Sequence, residues 1–275
     1  MGNHRRVCKL TVEKPVSIMF RSKSSKIRGL FYKASGARPF PTVILCHGFP
    51  GNDADVLGLG QRLMKEEFNA LAFNYRGTWG SEGMFTTANS VEDVVAAMHY
   101  VKSTAASREF NVDPSRIAII GASFGGGVAL LGSLNDPAAR RVVYIAGGDL
   151  GELARMMQQS AEFKRAIEKG IDQGISNSGF TAPRAEQLIA EILEDIGKYD
   201  LVKHAKSLSC KDIFLIGGWR DQTNDIEHHI LPLFRALQKH GAKQVQIEIF
   251  DADHSFSNVR DQLAEKIISW LKRNN

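Results

Sequence analysis

The sequence predicts an α/β fold, in which helices flank a mostly parallel central sheet that carries a helical cap insertion. Strand-like apolar runs alternate with segments of helical periodicity along most of the 275 residues, as in βαβ units. The alternation stops between residues 149 and 207, where helical faces recur without any strand pattern. A glycine-rich turn joins an apolar run to a helix at residues 121–127, which is typical of such a sheet.

The composition indicates a globular chain with a substantial core. It is 43% hydrophobic and 24% charged, with a formal net charge of +5. The basic residues are not grouped with groove-reading or aromatic motifs, so we expect no nucleic-acid partner. The one local excess, at Arg21, Lys23, Lys26 and Arg28, alternates in a predicted hairpin and is typical of a solvated sheet edge.

Cofactor sites, metal sites and targeting segments leave no signature in the sequence. Cys8, Cys46 and Cys210 stand far apart without metal-ligand spacing, and Gly125–Gly127 lacks the dinucleotide-binding pattern. No apolar run is long enough to span a membrane, and no apolar segment follows the charged N-terminus. We therefore expect a cytoplasmic protein with no cofactor, no metal and no membrane span.

The first hundred residues predict an antiparallel strand pair followed by βα units. Pro39 and Pro41 lead into a nearly continuous apolar run, which suits a buried central strand. Apolar residues at helical spacing after the next strand predict a crossing helix. The predicted elements are strands 8–20 and 27–34 around a turn at 21–26, strand 42–46, helix 55–67, strand 70–75 and a helix around residues 91–98.

The later core elements repeat this alternation, and Asp113-Pro114 precedes the strand that carries the glycine-rich turn. They are strand 117–120, helix 124–134, strand 141–146, strand 212–217, helix 226–240, strand 245–250 and helix 256–273. Residues 149–207, roughly 60 in number, are too many for the single crossover of a βαβ unit. We therefore divide the chain into an α/β core of residues 1–148 and 208–275 and a helical cap insertion. Ordinary helices of the main layer are the alternative.

Ser123 is the candidate nucleophile. It lies in Gly121-Ala122-Ser123-Phe124-Gly125, between the apolar strand Ile117–Ile120 and a helix. A strand that ends in Gly-x-Ser-x-Gly and turns directly into a helix is a nucleophile elbow. The turn strains the serine backbone, and the flanking glycines let strand and helix pass closely. An incidental serine in a glycine-rich turn is the alternative, and the strand-then-helix setting favours the nucleophile.

A serine hydroxyl is a weak nucleophile and needs a base, which is itself oriented by an acid. His254 is the candidate base, because it follows the last predicted strand and so belongs at the sheet edge that holds Ser123. His228 and His229 are adjacent at a helix start, where we expect surface residues.

Asp221 is the candidate acid. It follows the strand at 212–217, and the order serine, acid, histidine is the one that this architecture uses. Asp225 is the nearest rival, but it suits the N-cap of the next helix better. Asp251 and Asp253 rank lower, because a residue so close to the histidine in sequence is poorly placed to bond its ring from behind.

Two backbone N–H groups are candidates for an oxyanion hole. Phe124 directly follows the serine and supplies one. Phe49 supplies the other, from the tight loop after strand 42–46, where Pro50 has no N–H to give. His47 ends that strand, so we expect it to have a structural hydrogen-bonding role.

The ordered set of motifs resembles the α/β-hydrolase superfamily, and most of all the serine esterases of the dienelactone-hydrolase-like, cinnamoyl-esterase-like and prolyl-oligopeptidase-like group. The resemblance covers roughly residues 27–147 and 208–272 and implies the α/β-hydrolase fold. The motifs that carry it are Gly121–Gly125, His47-Gly48-Phe49-Pro50-Gly51, Asn74-Tyr75-Arg76-Gly77-Thr78-Trp79-Gly80-Ser81-Glu82-Gly83, Asp113-Pro114-Ser115-Arg116-Ile117 and Asp253-His254-Ser255-Phe256.

The resemblance implies a nucleophile at Ser123, an acid at Asp221, a base at His254 and oxyanion donors at Phe49 and Phe124. The loop from Tyr75 to Gly83 would help to shape the floor of the site. Two departures from the family pattern limit how much of the family's function is expected of this chain. Dienelactone hydrolases proper use a cysteine nucleophile, so their lactone substrate is not carried over. Oligopeptidases carry a large propeller domain, for which this chain has no room.

The sequence thus predicts a carboxylesterase that cleaves a small-molecule ester through an acyl-enzyme. A thioesterase or a small serine peptidase would use the same residues, and a catalytically silent hydrolase-fold binding protein belongs to a different class. Met156, Met157, Phe163 and Ile189 of the insertion could line the substrate pocket, or they could be the packing core of the insertion itself. The oligomeric state stays open, a homodimer included.

Overall fold

Eight strands form one sheet in the part of the chain that the computed structural model describes, residues 14–54 and 56–273. They are β1 (Val16–Ser22), β2 (Ser25–Tyr32), β3 (Phe40–Cys46), β4 (Asn69–Phe73), β5 (Val112–Ala122), β6 (Arg141–Ile145), β7 (Asp212–Gly218) and β8 (Val245–Phe250). Their spatial order is β1-β2-β4-β3-β5-β6-β7-β8. The pairs β1–β2 and β2–β4 are antiparallel, and the other five are parallel.

Twelve helices complete the described part of the chain. They are α1 (Leu59–Lys65), α2 (Thr87–Val101), α3 (Thr104–Phe110), α4 (Phe124–Ser133), α5 (Leu150–Gln159), α6 (Ala161–Ser178), α7 (Ala185–Glu194), α8 (Ile196–Tyr199), α9 (Ala205–Leu208), α10 (Ile226–His229), α11 (Leu231–Lys239) and α12 (Arg260–Lys272). Apolar side chains form one buried cluster on each face of the sheet, and β3, β4 and β7 are buried throughout. The predicted mostly parallel sheet with helices on both faces is confirmed.

Several element boundaries differ from the prediction. The first hairpin turns at Lys23 and Ser24 alone, with Ser22 paired to Ser25, and the predicted strand residues 8–13 lie outside the described residues. The predicted helix 226–240 is two helices that meet at Ile230, just before the proline of the second. The closing helix starts at Arg260 rather than at Phe256, whose positive φ of 52° belongs to a turn. The predicted helix 55–67 is α1, which is shorter, and α3 was not predicted.

The stretch from 149 to 207 contains α5 to α9 and no strand, as the sequence indicates. Its apolar residues do not form a separate core. Met157, Leu188, Ile189 and Ile192 are buried in the same cluster as the residues of β3, β5 and β6 on that face of the sheet. Within residues 14–54 and 56–273, no helix has both the length and the apolar character needed to cross a membrane.

Glu191 of α7 ties this stretch to the core. Its carboxylate accepts hydrogen bonds from the backbone N–H groups of Thr87 and Ala88, at 3.1 and 2.8 Å, and from the hydroxyl of Tyr199 at 2.9 Å. Thr87 and Ala88 begin α2, whose first N–H groups have no partner within the helix. A carboxylate there accepts hydrogen bonds from those donors and interacts favourably with the positive end of the helix dipole.

Replacing Glu191 by alanine is therefore expected to lower the free energy of unfolding by about 1–2 kcal/mol, the usual cost of a lost helix cap. Urea unfolding of the purified variant measures this. Glu194→Ala is the matched control, because Glu194 is exposed on the same helix and has no partner among the described residues. Equal losses in the two variants would contradict the capping role.

Asp149 is the N-cap residue of α5, in the segment between β6 and that helix, and it is buried. Its carboxylate accepts hydrogen bonds from the N–H groups of Gly151 and Glu152, at 3.0 and 3.2 Å. Burial raises the pKa of this carboxyl to about 6, and the nearby Asp200 carboxylate acts in the same direction. Because the native state then binds the proton more tightly than the unfolded chain, the stability from this group is complete below about pH 4 and is lost as the pH rises through 6.

Asp149→Asn removes this titration and keeps a side chain that can cap a helix. Between pH 4 and pH 7, we expect the free energy of unfolding of the variant to rise relative to that of the wild type by about 2–3 kcal/mol, at about 1.4 kcal/mol per pKa unit. Denaturant unfolding at each pH measures the difference. A difference that stays constant over this range would contradict the assignment.

Candidate active site

Ser123 occupies a strained turn between β5 and α4. Its φ and ψ are 56° and −127°, a combination that residues with a side chain rarely adopt. A Cβ on Gly125 would lie 2.2 Å from the carbonyl oxygen of Cys46, and one on Gly121 would lie 2.1 Å from the carbonyl oxygen of Gly125. Strand and helix therefore pass too closely for any side chain at either position. The sequence predicts this role for both glycines.

Ser123, His254 and Asp221 form a continuous chain of hydrogen bonds. His254 Nδ1 lies 2.8 Å from Asp221 Oδ2, and His254 Nε2 lies 2.9 Å from Ser123 Oγ. A carboxylate can only accept a hydrogen bond, so Nδ1 carries the ring proton. Nε2 is then left to accept from the serine hydroxyl. The three residues come from the carboxyl ends of β5, β7 and β8, which meet at one edge of the sheet.

Asp221 is fixed from the side opposite the histidine. The carboxylate is buried, and its Oδ1 accepts hydrogen bonds from the N–H groups of Thr223 and Asn224, at 2.8 and 2.9 Å. Asn224 in turn donates to the carbonyl of Ala146 at 2.8 Å, which joins the loop to the end of β6. These bonds hold Oδ2 toward the ring of His254.

Asp225, the other candidate for the acid, bonds a different histidine. Asp225 accepts hydrogen bonds from the backbone N–H and ring Nδ1 of His228, at 2.8 and 2.7 Å, and so caps α10. His228 is exposed, as expected, but the expectation that His229 lies at the surface is wrong. His229 is buried, and its Nδ1 accepts a hydrogen bond from the N–H of Asp149 at 3.1 Å. The helix turns this ring inward, against the start of α5.

The N–H groups of Phe49 and Phe124 are both without a partner among the described residues. Phe124 is the first residue of α4, so its N–H has no acceptor within the helix. A Cβ on Gly48 would lie 3.0 Å from Ser123 Cβ, which places the loop that carries Phe49 directly against the serine. Two free N–H groups beside one hydroxyl are able to bind a negatively charged oxygen.

His47 makes the structural contacts expected of it. Its Nδ1 donates to the carbonyl of Gly48 at 2.7 Å, and its own carbonyl accepts from the hydroxyl of Tyr75 at 3.1 Å. Burial lowers the pKa of the imidazole to about 4, so the ring is neutral at pH 7. Its buried Nε2 has no hydrogen-bond partner among the described residues.

The segment from Asn74 to Gly83 braces the loop that carries Phe49. Asn74 Oδ1 accepts from the N–H of Asp53 at 2.8 Å, and the indole N–H of Trp79 donates to the carbonyl of Gly51 at 2.8 Å. Together with the bond from Tyr75 to His47, these contacts fix the loop at both ends. The sequence indicates that this segment shapes the site, but not which bonds do so.

A buried ion pair holds this bracing segment in turn. Arg76 Nε lies 2.6 Å from a carboxylate oxygen of Asp93 in α2, and the second oxygen accepts from the backbone N–H of Arg76 at 2.8 Å. Both side chains are buried, with exposed fractions of 7% and 0%. Arg76 also pairs with the more exposed Glu92 at 2.7 Å.

Asp93→Ala leaves a buried guanidinium without its main partner, and we expect a loss of about 3–5 kcal/mol in the free energy of unfolding. Glu92→Ala removes the exposed partner of the same arginine and should cost less than about 1 kcal/mol. Urea unfolding of both variants makes the comparison. Similar costs for the two would contradict the dominance of the buried pair.

Aromatic rings surround the Phe49 side of the site. The ring of Phe49 lies 5.5 Å from that of Phe85 and 5.9 Å from that of Phe180, and Phe124 lies 5.6 Å from Phe85. Helix α6 approaches so closely that a Cβ on Gly174 would lie 2.6 Å from the Phe49 ring. Gly174 and Phe180 of the stretch 149–207 thus contact the loop that carries Phe49.

A cavity of about 230 Å³ opens beside Ser123. Residues from six separate parts of the chain line it: His47, Gly48, Phe49, Pro50, Gly51, Val56, Leu57, Ala122, Ser123, Ile145, His254, Ser255 and Arg260. None of Met156, Met157, Phe163 and Ile189 is among them. Met157 and Ile189 are buried in the main core and Phe163 packs against it, so these three do not form a separate core of the insertion.

The sequence did not indicate Val56, Leu57, Ile145 and Arg260 as cavity residues. In the structure Val56 and Leu57 precede α1, Ile145 ends β6 and Arg260 begins α12, and only the folded sheet edge brings them together. Among the described residues, no group of three histidine, cysteine, aspartate or glutamate side chains is arranged to hold a metal ion.

Comparison with known proteins gives one family match and several partial relatives. The model of the BD-FAE family matches residues 29–217. The quorum-quenching protein AidA of Acinetobacter baumannii is 30% identical over 127 residues, which are 44% of this chain and 40% of that protein. The uncharacterized protein YfhR of Salmonella typhimurium is 32% identical over 114 residues, 40% of this chain and 37% of that protein. The chain thus spans about two fifths of the length of the curated relatives it matches.

Several solved structures have a similar fold over nearly the whole chain. An esterase of Pyrococcus furiosus has a TM-score of 0.68 at 21% identity and covers 94% of this chain and 91% of its own. Acetyl xylan esterase 1 of Thermoanaerobacterium has a TM-score of 0.65 at 18% identity, and the match covers 96% of this chain and 85% of that one. The acylaminoacyl peptidase of Pyrococcus horikoshii has a TM-score of 0.68 at 17% identity, and the match covers 96% of this chain and 42% of that one. At these identities the likeness shows the fold alone, and it confirms the predicted α/β-hydrolase fold.

Proposed function

This chain belongs to the BD-FAE family, within the α/β-hydrolase superfamily, and from that premise we propose that it is a serine hydrolase that cleaves carboxylic esters. The observation that carries the proposal is the hydrogen-bond chain from Ser123 Oγ through His254 to Asp221. It lies beside two backbone N–H groups that have no partner in the described part of the chain, and it opens into a cavity. Nucleophile, base, acid and oxyanion donors are the parts that acyl transfer needs.

The first half of the reaction forms an acyl-enzyme. Ser123 Oγ attacks the ester carbonyl carbon while His254 Nε2 takes the hydroxyl proton. The carbonyl oxygen becomes an oxyanion, which the N–H groups of Phe49 and Phe124 stabilise. Asp221 stabilises the imidazolium that forms and keeps its own charge. The carbon–oxygen bond to the alcohol then breaks, and His254 gives its proton to the departing alcohol oxygen.

The second half returns the enzyme to its starting state. Water takes the place of the alcohol, and His254 Nε2 removes a proton as the water oxygen attacks the acyl carbon. A second oxyanion forms in the same pocket between Phe49 and Phe124. Its collapse breaks the bond to Ser123 Oγ, which recovers its proton from His254. The products are one carboxylic acid and one alcohol for each ester and water consumed.

Residues 149–207 act in this proposal as a cap over the oxyanion side of the site. Gly174 and Phe180 support it, because both lie against the ring of Phe49. The cavity itself is smaller than the roughly 300–1,000 Å³ of pockets for drug-sized ligands, which favours esters with at least one small group.

The proposal is tested with a panel of 4-nitrophenyl esters of acetate, butyrate and octanoate beside acetyl and butyryl thioesters and acetylated peptide substrates. We expect a higher kcat/KM for the short esters than for the thioesters and peptides. A burst of nitrophenol equal to the enzyme concentration would report the acyl-enzyme. Preference for the thioesters or the peptides would reassign the reaction. The absence of any turnover would favour a binding protein of this fold.

A further inference from the structure

The cavity beside Ser123 has one permanently charged side chain in its lining, and that side chain is a cation. Among the described residues that line the cavity, Arg260 is the only lysine, arginine, aspartate or glutamate. The remaining side chains are apolar, small or uncharged, apart from the two histidines. His47 is neutral at pH 7, because burial lowers the pKa of its ring to about 4. Among the described lining residues, the one permanent charge is therefore positive.

Arg260 is held in place by its Nε, which donates to the carbonyl of Ser255 at 2.7 Å. The residue is half-buried at the start of α12. Its Nη atoms donate to no other residue in the described part of the chain. One edge of the planar guanidinium is thus fixed, and the remaining donors are free to bind an oxygen anion.

Four acidic side chains of the described residues lie close to Arg260 in sequence or behind His254, and each is engaged with another group. Asp253 accepts from the N–H and hydroxyl of Ser255, and Asp261 pairs with Arg62. The nearby Asp251 pairs with Arg220 at 3.0 Å, and Asp221 is buried behind His254. None of the four forms an ion pair with Arg260. An arginine in a catalytic cavity without a protein carboxylate is placed to bind one from a ligand.

We propose that Arg260 binds a carboxylate group of the substrate, so that the preferred esters are anionic. This inference rests on the proposed ester hydrolysis and names its substrate class. Arginine binds a carboxylate through two parallel N–H···O bonds, which fixes the orientation of the substrate as well as its charge. The carboxylate could belong to the acyl part or to the alcohol part, since the cavity contacts both Ser123 and His254.

Two matched substrate pairs test the proposal and distinguish these positions. Mono-4-nitrophenyl adipate is compared with the same ester carrying a terminal amide, and 4-acetoxybenzoate is compared with 4-acetoxybenzamide. For each pair, the ratio of kcat/KM for the anion to that for the amide is measured in the wild type and in Arg260→Gln. We expect the ratio to fall by about 10-fold or more in the variant for at least one pair, since a charge-assisted pair is lost.

Two further variants separate binding from bulk charge and from local structure. Arg260→Lys keeps the charge without the planar fork and should give an intermediate ratio. Arg235→Gln removes an exposed arginine of α11 and so makes the same change in net charge. Because Arg235 does not line the cavity, both ratios should stay unchanged within about two-fold. Equal loss for the anion and the amide in Arg260→Gln would show that Arg260 only supports the Ser255 carbonyl, and would overturn the proposal.

A binding measurement tests Arg260 without turnover. In Ser123→Ala protein, adipate and 4-hydroxybenzoate are titrated by NMR, with and without the Arg260→Gln change. An affinity at least about 10-fold weaker in the double variant for either acid supports the carboxylate site, even if no ester is hydrolysed. Unchanged affinity, or no binding of either acid, would overturn it. Failure of hydrolysis and failure of carboxylate binding are thus observed separately.

Discussion

Ser123→Ala is expected to lower the kcat for short esters by about 10⁵-fold or more, which is the scale seen when a nucleophilic serine is removed. The reason is that no other hydroxyl lies against His254 Nε2, from which Ser123 Oγ is 2.9 Å away, among the hydrogen bonds of the described residues. Water could still be activated by His254, but without a covalent intermediate. Initial-rate kinetics with 4-nitrophenyl acetate measure the loss.

The fold of that variant should be intact. Alanine at this position keeps the strained φ of 56° and removes only the hydroxyl, so the free energy of unfolding should change by less than about 1 kcal/mol. Ser257→Ala is the matched control, since Ser257 is an exposed serine close to His254 in sequence. Its turnover should stay within about two-fold of the wild type. Comparable turnover by Ser123→Ala and the wild type would contradict the nucleophile assignment.

Asp221→Asn is expected to lower kcat by about 10⁴-fold while the protein stays folded, as for an acid that sets the tautomer of a catalytic histidine. An asparagine Oδ1 still accepts from Thr223 and Asn224, so its amide group would donate toward Nδ1. The ring proton then moves to Nε2, which can no longer accept from Ser123. The pH dependence of kcat and the thermal midpoint are measured together.

Asp225→Asn is the control that distinguishes the two candidate acids. Asp225 bonds His228 and caps α10 rather than contacting His254. An asparagine can also cap a helix, so the variant should retain turnover within about three-fold. A loss in Asp225→Asn as large as that in Asp221→Asn would contradict the choice of Asp221.

Most of the site geometry follows from local sequence patterns. The elbow needs residues close together in sequence, so the pentapeptide around Ser123 already specifies the turn and its crowding. His254 and Asp221 follow from a rule that is also nearly local, because residues just after parallel strands meet at the same edge of a sheet. Its place directly after the last predicted strand separated His254 from the other histidines.

What the sequence did not give depends on contacts between distant parts of the chain. Glu191 caps a helix more than a hundred residues earlier, and no local pattern marks such a partner. Arg260 opens a helix like many surface arginines, and only its meeting with Ser255 and Leu57 at one cavity distinguishes it. His229 was expected at the surface because it lies beside His228 at a helix start, yet successive residues of a helix face different directions and His229 is buried.

The central claim is that Ser123 is a nucleophile activated by His254 and Asp221. Labelling of the intact protein with a fluorophosphonate, followed by peptide mass spectrometry, tests this most directly, because it needs no knowledge of the substrate. The account predicts one adduct per chain, located on Ser123, and loss of ester hydrolysis in proportion to labelling. Labelling should be slower by orders of magnitude in Asp221→Asn. An adduct on another residue, or full hydrolysis after complete labelling of Ser123, would contradict the account.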